Sequence, residues 1–112
     1  MPNQTATLDR VFQALADPTR RAVLERLGRG PVPVSALAEP FKMALPSFMQ
    51  HLDVLEASRL VRSRKQGRVR TYSLAPEPLK QAETWMEKHR ALWEKRLDQL
   101  DDFLTHLKEK NT

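Results

Sequence analysis

Residues Met43 to Leu55 read MALPSFMQHLDVL. Leu45, Phe48, Leu52 and Leu55 recur at helical spacing and form one apolar stripe. Pro46, Ser47, Gln50 and His51 fall on the opposite side. A helix of this pattern packs by one face and offers short polar groups from its first turns on the other. Pro46 suits a first turn, where its missing N–H breaks no helical bond. Just upstream, Val34 to Glu39 reads as a shorter helix with Leu37 and Ala38 as apolar positions, and Pro40 to Ala44 as a bend. A short helix, a tight bend and a second helix with a polar leading edge is the helix-turn-helix pattern. A plain helical hairpin in an all-α protein has the same outline, so the residues that follow decide between the two.

Those residues are Leu60 to Leu74, LVRSRKQGRVRTYSL, which read as a β-hairpin loaded with positive charge. Ser58 and Arg59 end the helical pattern and Leu60 and Val61 begin the extended run. The turn is expected at Gln66-Gly67, where glycine takes the positive φ of a tight hairpin. Arg62, Arg64, Lys65, Arg68 and Arg70 crowd both arms, and like charges on neighbouring strands repel one another. That crowding favours an anionic partner over an edge kept basic only against aggregation. Tyr72 and Leu74 are expected to anchor the returning strand on the core.

The whole chain has 112 residues and a formal charge of +5, which bounds it to one domain with a single core. Residues 1–75 carry a balance of +6 and residues 76–112 a balance of −1. The basic charge therefore sits with the helix pair and the hairpin, as in a nucleic-acid-binding surface. There is no cysteine, hence no disulfide, thiolate metal site or cysteine nucleophile. No apolar run has the length to span a bilayer, and the opening MPNQTATLDR lacks an apolar signal region. A cytoplasmic protein with no membrane association is the expectation. No phosphate-binding glycine loop, nucleophile elbow or metalloprotease helix is present. The three histidines, His51, His89 and His106, pair with no nucleophile at short range. No catalytic residue is assigned, and the chain is read as a binding protein rather than an enzyme.

Three further helices complete the pattern. The first runs from about Leu8 to Ala16, with Leu8, Val11, Phe12 and Leu15 as a narrow apolar seam. Asp17 then reads as an N-cap with Pro18 at the first helical position of the second, Pro18 to about Arg29. Ala22, Val23, Leu24 and Leu27 of that helix face the core, while Arg20 and Arg21 suit either phosphate or solvent. The last helix, from about Pro78 to Lys108, has an apolar stripe through Trp85, Trp93, Leu97, Leu100 and Leu104. A helix of about 30 residues extends about 45 Å, beyond what a small domain covers. The surplus face around Leu97, Leu100 and Leu104, with the seam Leu8, Val11, Phe12 and Leu15, is the expected dimer interface.

Three stretches in this order resemble the ArsR/SmtB winged-helix repressors: DPTRRAVLERL at Asp17–Leu27, QHLDVLEASRLV at Gln50–Val61, and RKQGR at Arg64–Arg68 followed by TYSL at Thr71–Leu74. The similarity covers roughly residues 8 to 75, and the last helix agrees in kind more than in letters. It implies a mainly α fold with a small β-hairpin, a winged helix-turn-helix with a long C-terminal helix for dimerisation. It implies a homodimeric DNA-binding transcription regulator, usually a repressor released by an effector. The family's metal sites are another matter. The stretch matching its cysteine-bearing run is PVPVSAL, Pro31 to Leu37, with Pro33 and Ser35 where the thiols stand in relatives. At the family's second site His106 and Glu109 fit one half, but Trp93 and Lys95 occupy the other and cannot serve. His89 and His106 lie about 25 Å apart along one helix. No metal ligands and no cofactor are assigned.

The resulting expectation is a winged-helix homodimer on an inverted-repeat duplex DNA operator, its effector unidentified. The helix-turn-helix spans about 34–57, the wing about 60–74, and the dimerisation helices about 8–16 and 78–108. Ser47 and Gln50 are expected to reach base edges, His51 to meet phosphate or bridge to the core, and Arg64, Lys65, Arg68 and Arg70 to hold backbone or minor groove. The alternative is a protein-interaction module that uses the long helix, with DNA binding incidental.

Overall fold

The computed structural model describes residues 4–110, with side chains from residue 6 onward. The elements are α1 (Gln4–Leu15), α2 (Pro18–Leu27), β1 (Val32–Pro33), α3 (Val34–Ala38), α4 (Leu45–Ala57), β2 (Val61–Gln66), β3 (Val69–Leu74) and α5 (Glu77–Lys110). They form a winged helix-turn-helix, with α3 and α4 as the helix pair and the β2–β3 hairpin as the wing. No helix among the described residues is long and apolar enough to cross a membrane.

Among the described residues, 4–82 make one compact unit. Its core joins Val11 and Ala14 of α1, Val23 and Leu27 of α2, Leu37 of α3 and Phe48, Leu52 and Leu55 of α4, closed from the sheet side by Val32, Val61 and Tyr72. Each of the larger side chains contributes roughly 1.5–3 kcal/mol by leaving water. The apolar stripe of α4 is shorter than its sequence pattern. Phe48, Leu52 and Leu55 are buried, but Leu45 is 56% exposed, because it opens the helix ahead of the core. The α1 seam also differs. Val11 has no exposed surface and Leu8 and Leu15 pack against the core, so Val11 has nothing to offer a partner chain; Phe12 keeps 36% of its surface exposed.

Helix α2 starts as Asp17-Pro18 foretells. The Asp17 carboxylate accepts the Arg20 amide at 3.1 Å, and proline fills the first turn. Helix α4 ends in a Schellman cap. The Leu60 amide donates to the Leu55 carbonyl at 3.1 Å and the Arg59 amide to that of Glu56 at 2.9 Å, while the buried Ser58 hydroxyl donates to Leu55 at 2.8 Å. The residue after the cap is Arg59 at φ +63, a conformation in which glycine is usual.

The sheet has three strands in the order β1-β3-β2, one more than the hairpin the sequence suggests. Val32 and Pro33 pair with Tyr72 and Thr71. Pro33 is tolerated because this short strand lies at the sheet edge. In the wing Gln66 pairs with Val69, so the loop is Gly67-Arg68, one residue later than expected. Gly67 holds φ +61 at the first central position of the turn.

The second unit, described over residues 83–110, holds the rest of α5. Along it Leu92, Trp93, Leu97, Leu100, Phe103, Leu104 and Leu107 are each 41–59% exposed. Trp93, Leu97, Leu100, Leu104 and Leu107 follow one another at steps of four and three, the seam spacing of paired helices. Trp85 stacks on His89 with ring centroids 4.2 Å apart, and the His89 Nδ1 lies 2.9 Å from the Trp85 carbonyl.

Candidate nucleic-acid interface

The first turn of α4 is built to face outward. Its N-cap, Ala44, supplies no side-chain hydrogen bond, and Pro46 stands within the first two positions. The first-turn amides are left without a side-chain acceptor, and the positive end of the helix dipole is uncovered. Ser47 and Gln50 are exposed and lie three residues apart on one face. Phe48, Leu52 and Leu55 press the opposite face into the core. The side chains that fix the helix are therefore separate from those that can meet base edges.

His51 differs from these two. It is half-buried, with its Nδ1 3.2 Å from an Arg20 guanidinium nitrogen and 3.6 Å from an Asp17 carboxylate oxygen. Arg20 also donates to the carbonyls of Ala14 and Gln13, each at 2.8 Å. One guanidinium thus ties the end of α1 and the start of α2 to the middle of α4. Arg21 donates to the Leu15 carbonyl at 2.7 Å. Burial raises the Asp17 carboxyl, but the Arg20 amide and the charges of His51 and Arg20 outweigh it and hold it below its ordinary value. The group links α1, α2 and α4 at one point. Of the two arginines whose role composition leaves open, both are held by backbone carbonyls.

The wing register sorts its charges. Arg62 stands opposite Ser73, Arg64 opposite Thr71, and Lys65 opposite Arg70. Only the last is a like-charge pair. Arg70 is half-buried and donates to the Ser63 hydroxyl at 2.8 Å, a diagonal contact across the strands. Arg62, Arg64, Lys65 and Arg68 are exposed, with Arg68 in the turn itself. Among the described residues none of these four has a carboxylate within ion-pair distance. On the same strand as Arg70, burial and the neighbouring Glu56 push the Tyr72 hydroxyl up to about 12.

A helix anchored by three apolar residues, two exposed polar groups at its leading end, and a basic two-stranded wing define a DNA-binding winged helix-turn-helix. The known proteins agree. A helix-turn-helix domain family matches residues 15–64. The chain is 49% identical over 71 residues to the HTH-type transcriptional regulator Rv2034 of Mycobacterium tuberculosis, a match spanning 63% of this chain and 66% of the relative, just under two thirds of its length. It is 33% identical over 79 residues to the transcriptional repressor SdpR of Bacillus subtilis, covering 70% of this chain and 88% of SdpR. The crystal structure of the ArsR family transcriptional regulator RHA00566 superposes with a TM-score of 0.78 at 55% identity, over 84% of this chain and 97% of that one. The chain belongs to the ArsR family of DNA-binding transcriptional regulators, which are not enzymes.

Two features of the site escape the sequence reading. The role of Arg20 as a clamp follows from guanidinium contacts to Gln13 and Ala14 on α1 and to His51 on α4, and the letters DPTRR show none of them, only the Asp17 cap. The Schellman cap leaves a trace in the apolar Leu60 after the helix, but Arg59 hides it by standing where glycine marks such an ending.

Proposed function

We propose that this protein is a homodimeric repressor that binds an inverted-repeat operator, reading bases with α4 and holding phosphate with the wing. The observation that carries this reading is the division of α4. Phe48, Leu52 and Leu55 are spent on the core, and Ser47 and Gln50 stand free beside an exposed basic hairpin. Gln50 is long enough to make a bidentate contact to a base edge, and Ser47 a shorter one. Arg64, Lys65 and Arg68 contact phosphates or the minor groove. Arg70 supports the wing through Ser63, and His51 positions α4 through Arg20. The dimer joins through the exposed α5 stripe around Leu97, Leu100 and Leu104, with Phe12 of α1 and the half-buried edges of Leu8 and Leu15. Repression is supported by the likeness to SdpR, which is named a transcriptional repressor. The protein acts on cellular DNA and so works in the cytoplasm. Release does not use a thiolate metal site, since Pro33 and Ser35 occupy those positions.

The test is a titration of specific and random duplexes with Gln50→Ala. Losing a bidentate base contact removes roughly 1–3 kcal/mol of discrimination. Specific affinity should fall about tenfold or more while random-duplex affinity holds. An equal fall on both would make Gln50 a positioning residue and shift the reading face elsewhere on α4.

A further inference from the structure

A cleft of about 920 Å³ opens in the first unit, between α1, the end of α4, the start of β2 and the start of α5. Its charged lining is Arg10, Glu56, Arg59, Arg62 and Glu77. Glu77 lies 3.9 Å from the Lys80 ammonium. The lining thus sets three guanidinium groups against two carboxylates, a balance of +1. Among the described residues no carboxylate stands within ion-pair distance of Arg10, Arg59 or Arg62. Like charges gathered in a concave site repel one another and concentrate anions.

A second, independent observation falls on the same wall. Arg59 keeps φ +63 at the end of α4, where glycine would sit without strain. Left-handed residues other than glycine that a fold retains cluster at ligand sites and switch regions. The negative end of the α4 dipole also faces this region, equivalent to about half a charge. Its last carbonyls are already taken by the amides of Ser58, Arg59 and Leu60, and the lining's balance of +1, three guanidinium groups against two carboxylates, exceeds it.

The geometry points to a binding site for a small organic polyanion, a molecule carrying two or more carboxylate or phosphate groups, held by Arg10, Arg59 and Arg62. The guanidinium fork matches both groups with paired hydrogen bonds. The volume is that of a small-molecule pocket. Because the end of α4 and the start of β2 both form its walls, occupation is coupled to operator affinity; that clause rests on the DNA-binding reading above.

The test titrates the full-length protein by calorimetry at low salt with citrate, the carboxylate probe, and with inorganic pyrophosphate, the phosphate probe. Saturable binding of at least one probe, one per chain, is expected for wild type and for Arg64→Ala/Arg68→Ala. The tighter probe identifies the preferred group. Arg59→Gly, at least as stable as wild type in a thermal melt, should bind at least tenfold more weakly, as should Arg62→Gln. No saturable binding by wild type, equal binding by Arg59→Gly, or loss of binding in the wing variant overturns the site. Operator titrations with and without the probe separate the two claims. Probe binding that leaves operator affinity unchanged overturns the coupling alone. A protein that binds the probe but no duplex DNA overturns the repressor reading and leaves the site standing.

Discussion

At Arg59 the chain accepts a backbone conformation that its side chain disfavours. A left-handed residue other than glycine costs roughly 1–2 kcal/mol, and glycine returns about 0.5–1 kcal/mol of that through its freer unfolded chain. Arg59→Gly should therefore raise unfolding stability by about 0.5–1 kcal/mol in a denaturant titration, and a clear loss would show that the guanidinium itself supports the fold. Asp17 works in the opposite sense, giving stability by its charge. Its carboxyl is held below the ordinary 3.8, so folding favours the ionised form. The stabilisation is complete above that ordinary value and disappears as pH falls through the lower, folded value. At neutral pH Asp17→Ala should cost about 1 kcal/mol, the worth of an N-cap. The gap between variant and wild type should close in acid; a gap independent of pH would mean that the carboxylate charge is not what matters. The sequence shows the cap, because Asp-Pro followed by a helical run is a local signal. It does not show that Arg20 and His51 gather on the same carboxylate, since His51 is 31 residues away from Arg20 and the pairing exists only once α2 and α4 have packed.

Among the elements, α4 and the wing are the most legible in the letters. Apolar spacing alone gives the buried face of α4, and the QGR run gives the turn to within one residue. The miss at Leu45 has a simple cause: periodicity assigns a direction around the helix axis but cannot tell where the core ends along it. β1 is missed because two residues, one a proline, carry no period, and their pairing with Tyr72 and Thr71 is set by the chain's return from the wing. The charge pattern of the wing is plain from sequence, and the register adds which charges are free. Arg64 and Arg68 are exposed and unpaired by carboxylates, whereas Arg70 is engaged by Ser63. Each phosphate neutralised on duplex DNA contributes about −0.9 to the slope of log affinity against log salt. Arg64→Ala and Arg68→Ala should each flatten that slope by about one unit and weaken specific and random duplexes alike, as read by fluorescence anisotropy across a salt series. A slope unchanged in both variants would remove the wing tip from the interface.

For the whole molecule the question is how a few side chains on one short helix select a site in a genome. In the proposed repressor one α4 reads only a few base pairs. Two copies fixed in a dimer read half-sites about one helical turn, ~34 Å, apart or a multiple of it, and the operator must then share their two-fold symmetry. In the proposed dimer the α5 stripe supplies the means, its leucines following one another at steps of four and three with about half their surface exposed. A carboxylate placed there, as in Leu100→Asp, enters the joint twice, once from each copy, and is costly to bury. The most direct measurement is to sequence the DNA that the protein enriches from fragmented genomic DNA, for wild type and for Leu100→Asp in parallel. Wild type should enrich an inverted repeat with half-sites spaced by whole helical turns, and Leu100→Asp, still folded by circular dichroism, should lose it. Enrichment of an asymmetric single site, or the same inverted repeat recovered by a monomeric Leu100→Asp, would contradict the dimeric repressor.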